Sequence, residues 1–204
     1  MWRQDQRHIL IVCALGQELH IVKSVLKWHI FQWIQFHYHI CGVGLEKSMI
    51  GLTEFLSCSE LKFELIINIW IVGFAYSKWS PLPPLLRGKV TQCFRIIQWD
   101  AKKELCVPPQ YVLSDVDIVP LTSRYRVVRE RSQLEYFLQY EDIIAVDMEW
   151  YSIESVCDYF WCPRMFLKVL YDEIGKDDIK DYNDMLDTMK TALWGLPELL
   201  RKIL

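Results

Sequence analysis

Apolar and polar positions fall in blocks along the chain, and the changes of period mark the elements. The run HILIVCA at 8–14 is short and continuously apolar, the pattern of a strand covered on both faces. Leu19, Val22, Val25 and Leu26 then return at helical spacing. Over 31–41 aromatic or aliphatic residues alternate with polar ones, which predicts one or two strands. Gly42-Val43-Gly44 turns the chain into a second helix over 46–56, and 65–72 predicts a central strand. Pro81, Pro83, Pro84 and Gly88 mark a loop, and 107–115 reads as irregular. Further strands are expected at 89–97, 116–121 and 143–146, with a last one at 165–170. Helices are expected at 132–139 and 148–159, and a long one at 179–204 with a break near Gly195 and Pro197. Strands alternating with helices predict an α/β fold, and no linker divides the 204 residues, so one domain over 1–204 is expected.

Composition narrows the function. The chain is 52% hydrophobic and carries a net charge of -3, with no basic block, so counterion-release binding of nucleic acid is not expected. The longest apolar run, 65–76, is interrupted by Asn68 and Gly73 and is too short to span a bilayer, so no membrane partner is expected. The polar opening at 1–6 carries no secretory signal. Seven cysteines are scattered without a Cys-x-x-Cys pair, which fits reduced thiols in a cytoplasmic protein better than a disulfide framework or structural zinc. Nine tryptophans read first as large core fillers. The acids Asp177, Asp178, Asp181 and Asp184 lack an EF-hand pattern and read as a solvated helical face.

Most motifs fail on inspection. After Gly42-Val43-Gly44 a dinucleotide fingerprint needs a third Gly where Lys47 stands, and a P-loop needs Gly where Glu46 stands. His29, His37 and His39 have no carboxylate or Cys at useful spacing, so no metal is expected. No Gly-x-Ser-x-Gly elbow occurs. Three acids are more informative: Glu18, Glu149 and Asp172 each lie near the carboxyl end of an expected strand, the edge where open α/β sheets build ligand sites. Ordinary helix-start acids would sit at the same places.

The order and surroundings of these acids favour a site. ILIVCALGQEL, CGVGLEKSMIGLTEFL, IINIWIVGFA, AVDMEWYSIESVC and RMFLKVLYDEIG follow one another from Ile9 to about Gly175. In that order they resemble the methylthioadenosine/S-adenosylhomocysteine nucleosidase family, which includes futalosine-type hydrolases, of the nucleoside phosphorylase superfamily. The first is similar to the family's strand and Ala-Met-x-x-Glu turn, the fourth to its Val-Glu-Met-Glu-Ala segment, and the last to its strand ending in Ser-Asp. The resemblance implies a three-layer α/β/α domain with a central twisted mixed sheet. It implies release of adenine from a 5′-substituted adenosine, which would be methylthioadenosine, S-adenosylhomocysteine or the menaquinone precursor aminodeoxyfutalosine. It implies no cofactor, and a homodimer whose partner loop completes the 5′ site, with Trp79 or Trp99 available for the interface.

The same resemblance assigns roles. Asp172 protonates the adenine N7, and Glu18 orients or deprotonates the attacking water. Glu149 binds the ribose hydroxyls, Met148 packs on the sugar, and Val127 and Val128 present an apolar side chain and backbone bonds to the base. For this chemistry Asp172 must keep its proton well above the ordinary value of ~3.9, while Glu18 must be charged. The phosphate loop of the related phosphorylases, Gly-Asp-Pro-x-Arg, is replaced by Ala14-Leu15-Gly16-Gln17-Glu18, so hydrolysis is expected rather than phosphorolysis. Four departures stand against the family pattern: Trp70-Ile71 in place of Gly-Ser beside the base, Lys168 for Arg, Tyr171 for Ser, and Val127 for an aromatic. They leave a second reading open, a catalytically degenerate nucleoside-binding member, which an indole of Trp70 filling the cleft would favour.

Overall fold

The computed structural model describes residues 6–29, 31–79, 86–93, 95–98, 103–106, 111–124, 126–176 and 181–204, with only the backbone of 95–98 and 103–106. Its strands are β1 (Arg7–Cys13), β2 (Ile34–Ile40), β3 (Leu65–Tyr76), β4 (Val90–Cys93), β5 (Arg95–Gln98), β6 (Lys103–Cys106), β7 (Asp117–Ile118), β8 (Leu121–Ser123), β9 (Ile143–Asp147) and β10 (Arg164–Glu173). Its helices are α1 (Gly16–Leu26), α2 (Leu45–Cys58), α3 (Trp150–Tyr159), α4 (Tyr182–Ala192) and α5 (Leu196–Arg201).

β3 organises the sheet. One of its edges carries β10 in parallel register from Ile66 to Phe74. The other edge is shared: β1 pairs in parallel with Leu65–Asn68, and β9 pairs antiparallel with Gly73–Tyr76. β2 extends the sheet beyond β1, while β8, β5 and β6 extend it beyond β9. The partner of β3 therefore changes between Asn68 and Gly73, and the ends of β1 and β9 leave a crevice there. Such a switch point is where an open α/β sheet binds ligands.

Alternation along β3 and β10 sends side chains into two cores. Leu65, Ile67 and Ile69 pack with Met165, Leu167 and Val169 beneath α1, α4 and α5, joined by Val22, Met189 and Leu200. Ile66, Trp70 and Phe74 pack with Phe166 and Leu170 beneath α2 and α3, joined by Leu52, Trp150 and Ile153. The result is the expected three-layer architecture around a mixed sheet. No helix among the described residues is long and apolar enough to cross a membrane.

Several expected elements are corrected. The strand at 89–97 is two, because β4 pairs with β10 whereas β5 pairs with β8. The strand at 116–121 is likewise β7 and β8, separated by Pro120. The helix at 132–139 is two 3₁₀ turns, Arg131–Leu134 and Phe137–Gln139. Its buried residues Leu134 and Phe137 stand three apart, the period of a 3₁₀ helix. The 31–41 segment is a single strand, and α3 begins at Trp150 rather than 148. The long C-terminal helix is α4 and α5 joined by a 3₁₀ turn at Leu193–Gly195, with Pro197 in the first turn of α5. Its expected start at 179, the prolines at 81–84, Trp99 and residues 107–110 of the irregular stretch 107–115 lie outside the described residues.

α2 lies close against the end of β2. A Cβ on Gly51 would stand 2.7 Å from the carbonyl oxygen of Cys41, a backbone atom. Gly51→Ala is therefore expected to destabilise by about 1–3 kcal/mol despite alanine's better helix propensity, as overpacked sites do. Urea unfolding of the two proteins checks it.

Candidate functional site

The crevice is a cavity of about 250 Å³. Every residue singled out as a site candidate lines it: Glu18, Trp70, Ile71, Val127, Val128, Met148, Glu149 and Asp172. They arrive from separate strand ends. Glu18 follows β1, Trp70 and Ile71 sit where β3 changes partner, Val127 and Val128 follow β8, Met148 and Glu149 follow β9, and Asp172 closes β10.

Glu18 is buried in the first turn of α1, and its Oε2 accepts the Leu15 amide at 3.0 Å. It is thus a helix-start acid and a cavity acid at once, so the two readings of its position both hold. Burial pushes its carboxyl up to about 7, against the opposing effect of the Leu15 and Ile71 amides and of Lys168. Glu149 is also buried, and its Oε1 accepts the amide of Gly44 at 2.8 Å while Oε2 accepts that of Met148 at 3.2 Å. Gly44 has a φ of 90°, which only glycine adopts without strain, so the Gly42-Val43-Gly44 turn serves to aim this amide at Glu149. Burial, and then the neighbouring Asp147, push the Glu149 carboxyl up to about 7.

Asp172 is placed by a bulge. The register of β10 on β3 slips between Leu170 and Asp172, and Tyr171 is the extra residue. Tyr171 is buried, and its hydroxyl donates to Asp184 of α4 at 2.7 Å. Asp172 is left at the cavity rim, more exposed than the two glutamates. Partial burial raises its carboxyl, and Arg87 pulls it the other way. Arg87 is itself anchored to Asp184 and lies 4.2 Å from the centroid of the Tyr171 ring. Val128 is buried, but Val127 is 62% exposed and gives the cavity little apolar cover.

Trp70 does not fill the cavity. Its side chain is 1% exposed and lies in the core beneath α2 and α3, forming part of the cavity floor. Its ring covers the ammonium of Lys168, which lies 3.5 Å from the ring centroid. Lys168 is fully buried and does not line the cavity. It bonds to Asn68 Oδ1 at 2.6 Å and forms an ion pair with Asp147 Oδ2 at 3.0 Å.

Asp147 lines the cavity and was given no role by the sequence. Its signal was a lone carboxylate in the apolar strand IIAVD, matched by a lone lysine in MFLKVL. Buried unlike charges of this kind are usually paired. Among the described residues, no group of three or more His, Cys, Asp or Glu gathers to hold a metal. His37 is instead engaged with His8, their ring nitrogens 3.0 Å apart.

No family model matches this chain, and no curated protein matches it in sequence. Solved structures do match. A Borrelia burgdorferi B31 protein assigned as a 5′-methylthioadenosine/S-adenosylhomocysteine nucleosidase, solved with adenine, superposes with a TM-score of 0.73 at 18% identity, covering 96% of this chain and 100% of that one. A futalosine hydrolase mutant of Helicobacter pylori gives a TM-score of 0.72 at 13% identity, covering 97% and 100%. The 5′-methylthioadenosine nucleosidase of Arabidopsis thaliana gives 0.66 at 16% identity, covering 98% and 95%. The fold of this chain is the one these proteins share.

Proposed function

We propose that this protein is an N-glycosidase that hydrolyses a 5′-substituted adenosine and releases adenine. The observation that carries the reading is the convergence of Glu18, Glu149 and Asp172 on one cavity, in a fold shared with proteins that bear nucleosidase and futalosine hydrolase names. Breaking the bond between ribose and purine develops positive charge on the sugar and negative charge on the base. Asp172, at the rim, supplies a proton to N7 of the leaving adenine. Glu18 accepts a proton from the attacking water, and its charge stabilises the oxocarbenium-like sugar. Glu149, fixed by the Gly44 and Met148 amides, takes the ribose hydroxyls, with Met148 against the sugar and Val128 beside the base. Hydrolysis is favoured over phosphorolysis because the turn after β1 offers Glu18 and no arginine, and Lys168 is already engaged below the floor.

Ile40, Val43, Met49 and Ile50 are exposed apolar residues on or beside α2, and Val43 also lines the cavity. A second copy covering this face would form a homodimer and close the cavity's open side. Trp79, also exposed, borders a different depression. Buried reduced thiols at Cys13, Cys41, Cys93 and Cys157 fit a cytoplasmic setting.

The test is adenine release in phosphate-free buffer from methylthioadenosine, S-adenosylhomocysteine and aminodeoxyfutalosine, read by chromatography. Release from at least one is expected, and the preferred one identifies the 5′ group. One limb of the pH profile of kcat/KM should fall near pH 7, because the Glu18 and Glu149 carboxyls both titrate there. A profile flat from pH 5 to 9 would remove Glu18 from the mechanism.

A further inference from the structure

The charged pair beneath the cavity takes no part in the proposed hydrolysis. An ammonium has three N–H donors. That of Lys168 has two oxygen partners, Asn68 and Asp147, and its remaining side faces the Trp70 ring. No donor is left for a ligand. Asp147 is equally engaged: its Oδ1 accepts the Ser123 hydroxyl and, at 3.2 Å, the Trp150 amide. Asn68 in turn donates to the Val12 carbonyl at 3.1 Å. The pair therefore ties together β1, β3, β8, β9 and β10, the strands whose ends deliver the cavity residues.

We propose that the buried Lys168–Asp147 pair, roofed by Trp70, is a positioning unit that fixes these strand ends and acts in opposite senses on Glu18 and Glu149. The roles of the two glutamates rest on the hydrolase reading, but the electrostatic claim does not. Lys168 favours the charged form of both. Asp147, two residues before Glu149, opposes ionisation there and outweighs the lysine. Among the described residues, the other titratable groups around these carboxylates are the thiols of Cys13 and Cys41, the Tyr182 hydroxyl from α4, and Arg126 and Asp172, which line the same cavity. The thiols and the phenol are held uncharged near neutral pH, and Arg126 and Asp172 stay in place when the pair is removed, so the change on removal reports the pair's own share of the field. Trp70 and Lys168, which each looked like a separate loss from the family pattern, are one coupled arrangement.

The experiment is a direct titration that needs no turnover. The side-chain carboxyl ¹³C resonances of glutamate are followed against pH, with Glu18→Gln and Glu149→Gln supplying the assignments. In the double variant Lys168→Met/Asp147→Asn both buried charges are gone, and neutral partners of similar volume remain, an exchange that proteins tolerate. The Glu18 midpoint should then rise and the Glu149 midpoint fall, each by roughly half a pH unit or more. Midpoints that stay put, or that move together, would overturn the proposal. If the double variant does not fold, Lys168→Gln/Asp147→Asn, which also removes both charges but keeps a donor for Asn68 Oδ1, carries the test with the same two expectations, and an unmoved Glu149 counts against it. A protein that releases no adenine would sink the hydrolase reading and leave this titration valid.

Discussion

Glu18→Gln is expected to lower adenine release by about 10²–10⁴-fold, the usual loss when a general base is removed, and at the same time to make the protein more stable at pH 8. The two effects have one cause. Burial holds the Glu18 carboxyl near 7, whereas an exposed glutamate titrates near 4.5. The folded protein therefore binds this proton more tightly than the unfolded chain does. That contribution to stability is fully present below the unfolded value and is lost as pH rises through about 7. At pH 8 the fold carries an ionised, buried glutamate at a cost of roughly 3 kcal/mol, taking 1.36 kcal/mol per pH unit of difference. Glutamine keeps an oxygen for the Leu15 amide and has no charge to bury. Thermal melts at pH 5 and pH 8 check this, with Tm gained only at the higher pH. A variant that loses both activity and stability at pH 8 would mean that Glu18 is a structural cap rather than a strained cavity acid.

Lys168→Met alone is expected to be the most damaging single change to the fold. It leaves Asp147 buried and charged, with the Ser123 hydroxyl and the Trp150 amide as its remaining partners among the described contacts, and it removes the partner of Asn68 Oδ1. Breaking one side of a buried pair costs about 3–5 kcal/mol. For a domain of this size that lowers Tm by roughly 6–20 °C. Urea unfolding at pH 7.5 measures it, and a loss below about 1 kcal/mol would show that the pair is solvated and weak.

The site was legible in sequence to the extent that its residues end strands. Glu18, Glu149 and Asp172 could be placed because each follows a run of apolar residues, and strand ends meet at one edge of an α/β sheet. Register was not legible, and the floor of the cavity depends on it. Lys168 lies opposite Trp70 on the neighbouring strand, and 98 positions of chain separate them, so sequence presents them as two unrelated departures. The bulge that turns Tyr171 toward α4 and Asp172 toward the cavity was hidden for the same reason. Likewise 89–97 reads as one strand, since no Gly or Pro marks the point where the chain leaves β10 for β8. The exposure of Val127 follows from the path of the segment after β8, which no local pattern determines.

Hydrolysis of a nucleoside in the cavity with Asp172 as the acid is tested by adenine release from methylthioadenosine, S-adenosylhomocysteine and aminodeoxyfutalosine without phosphate, with wild type and Asp172→Asn measured side by side near pH 7. The wild type should release adenine from at least one substrate and the variant should lose about 10²-fold or more, with both proteins equally folded. Equal rates in the two proteins, or no release from any of the three by folded wild type, would contradict it.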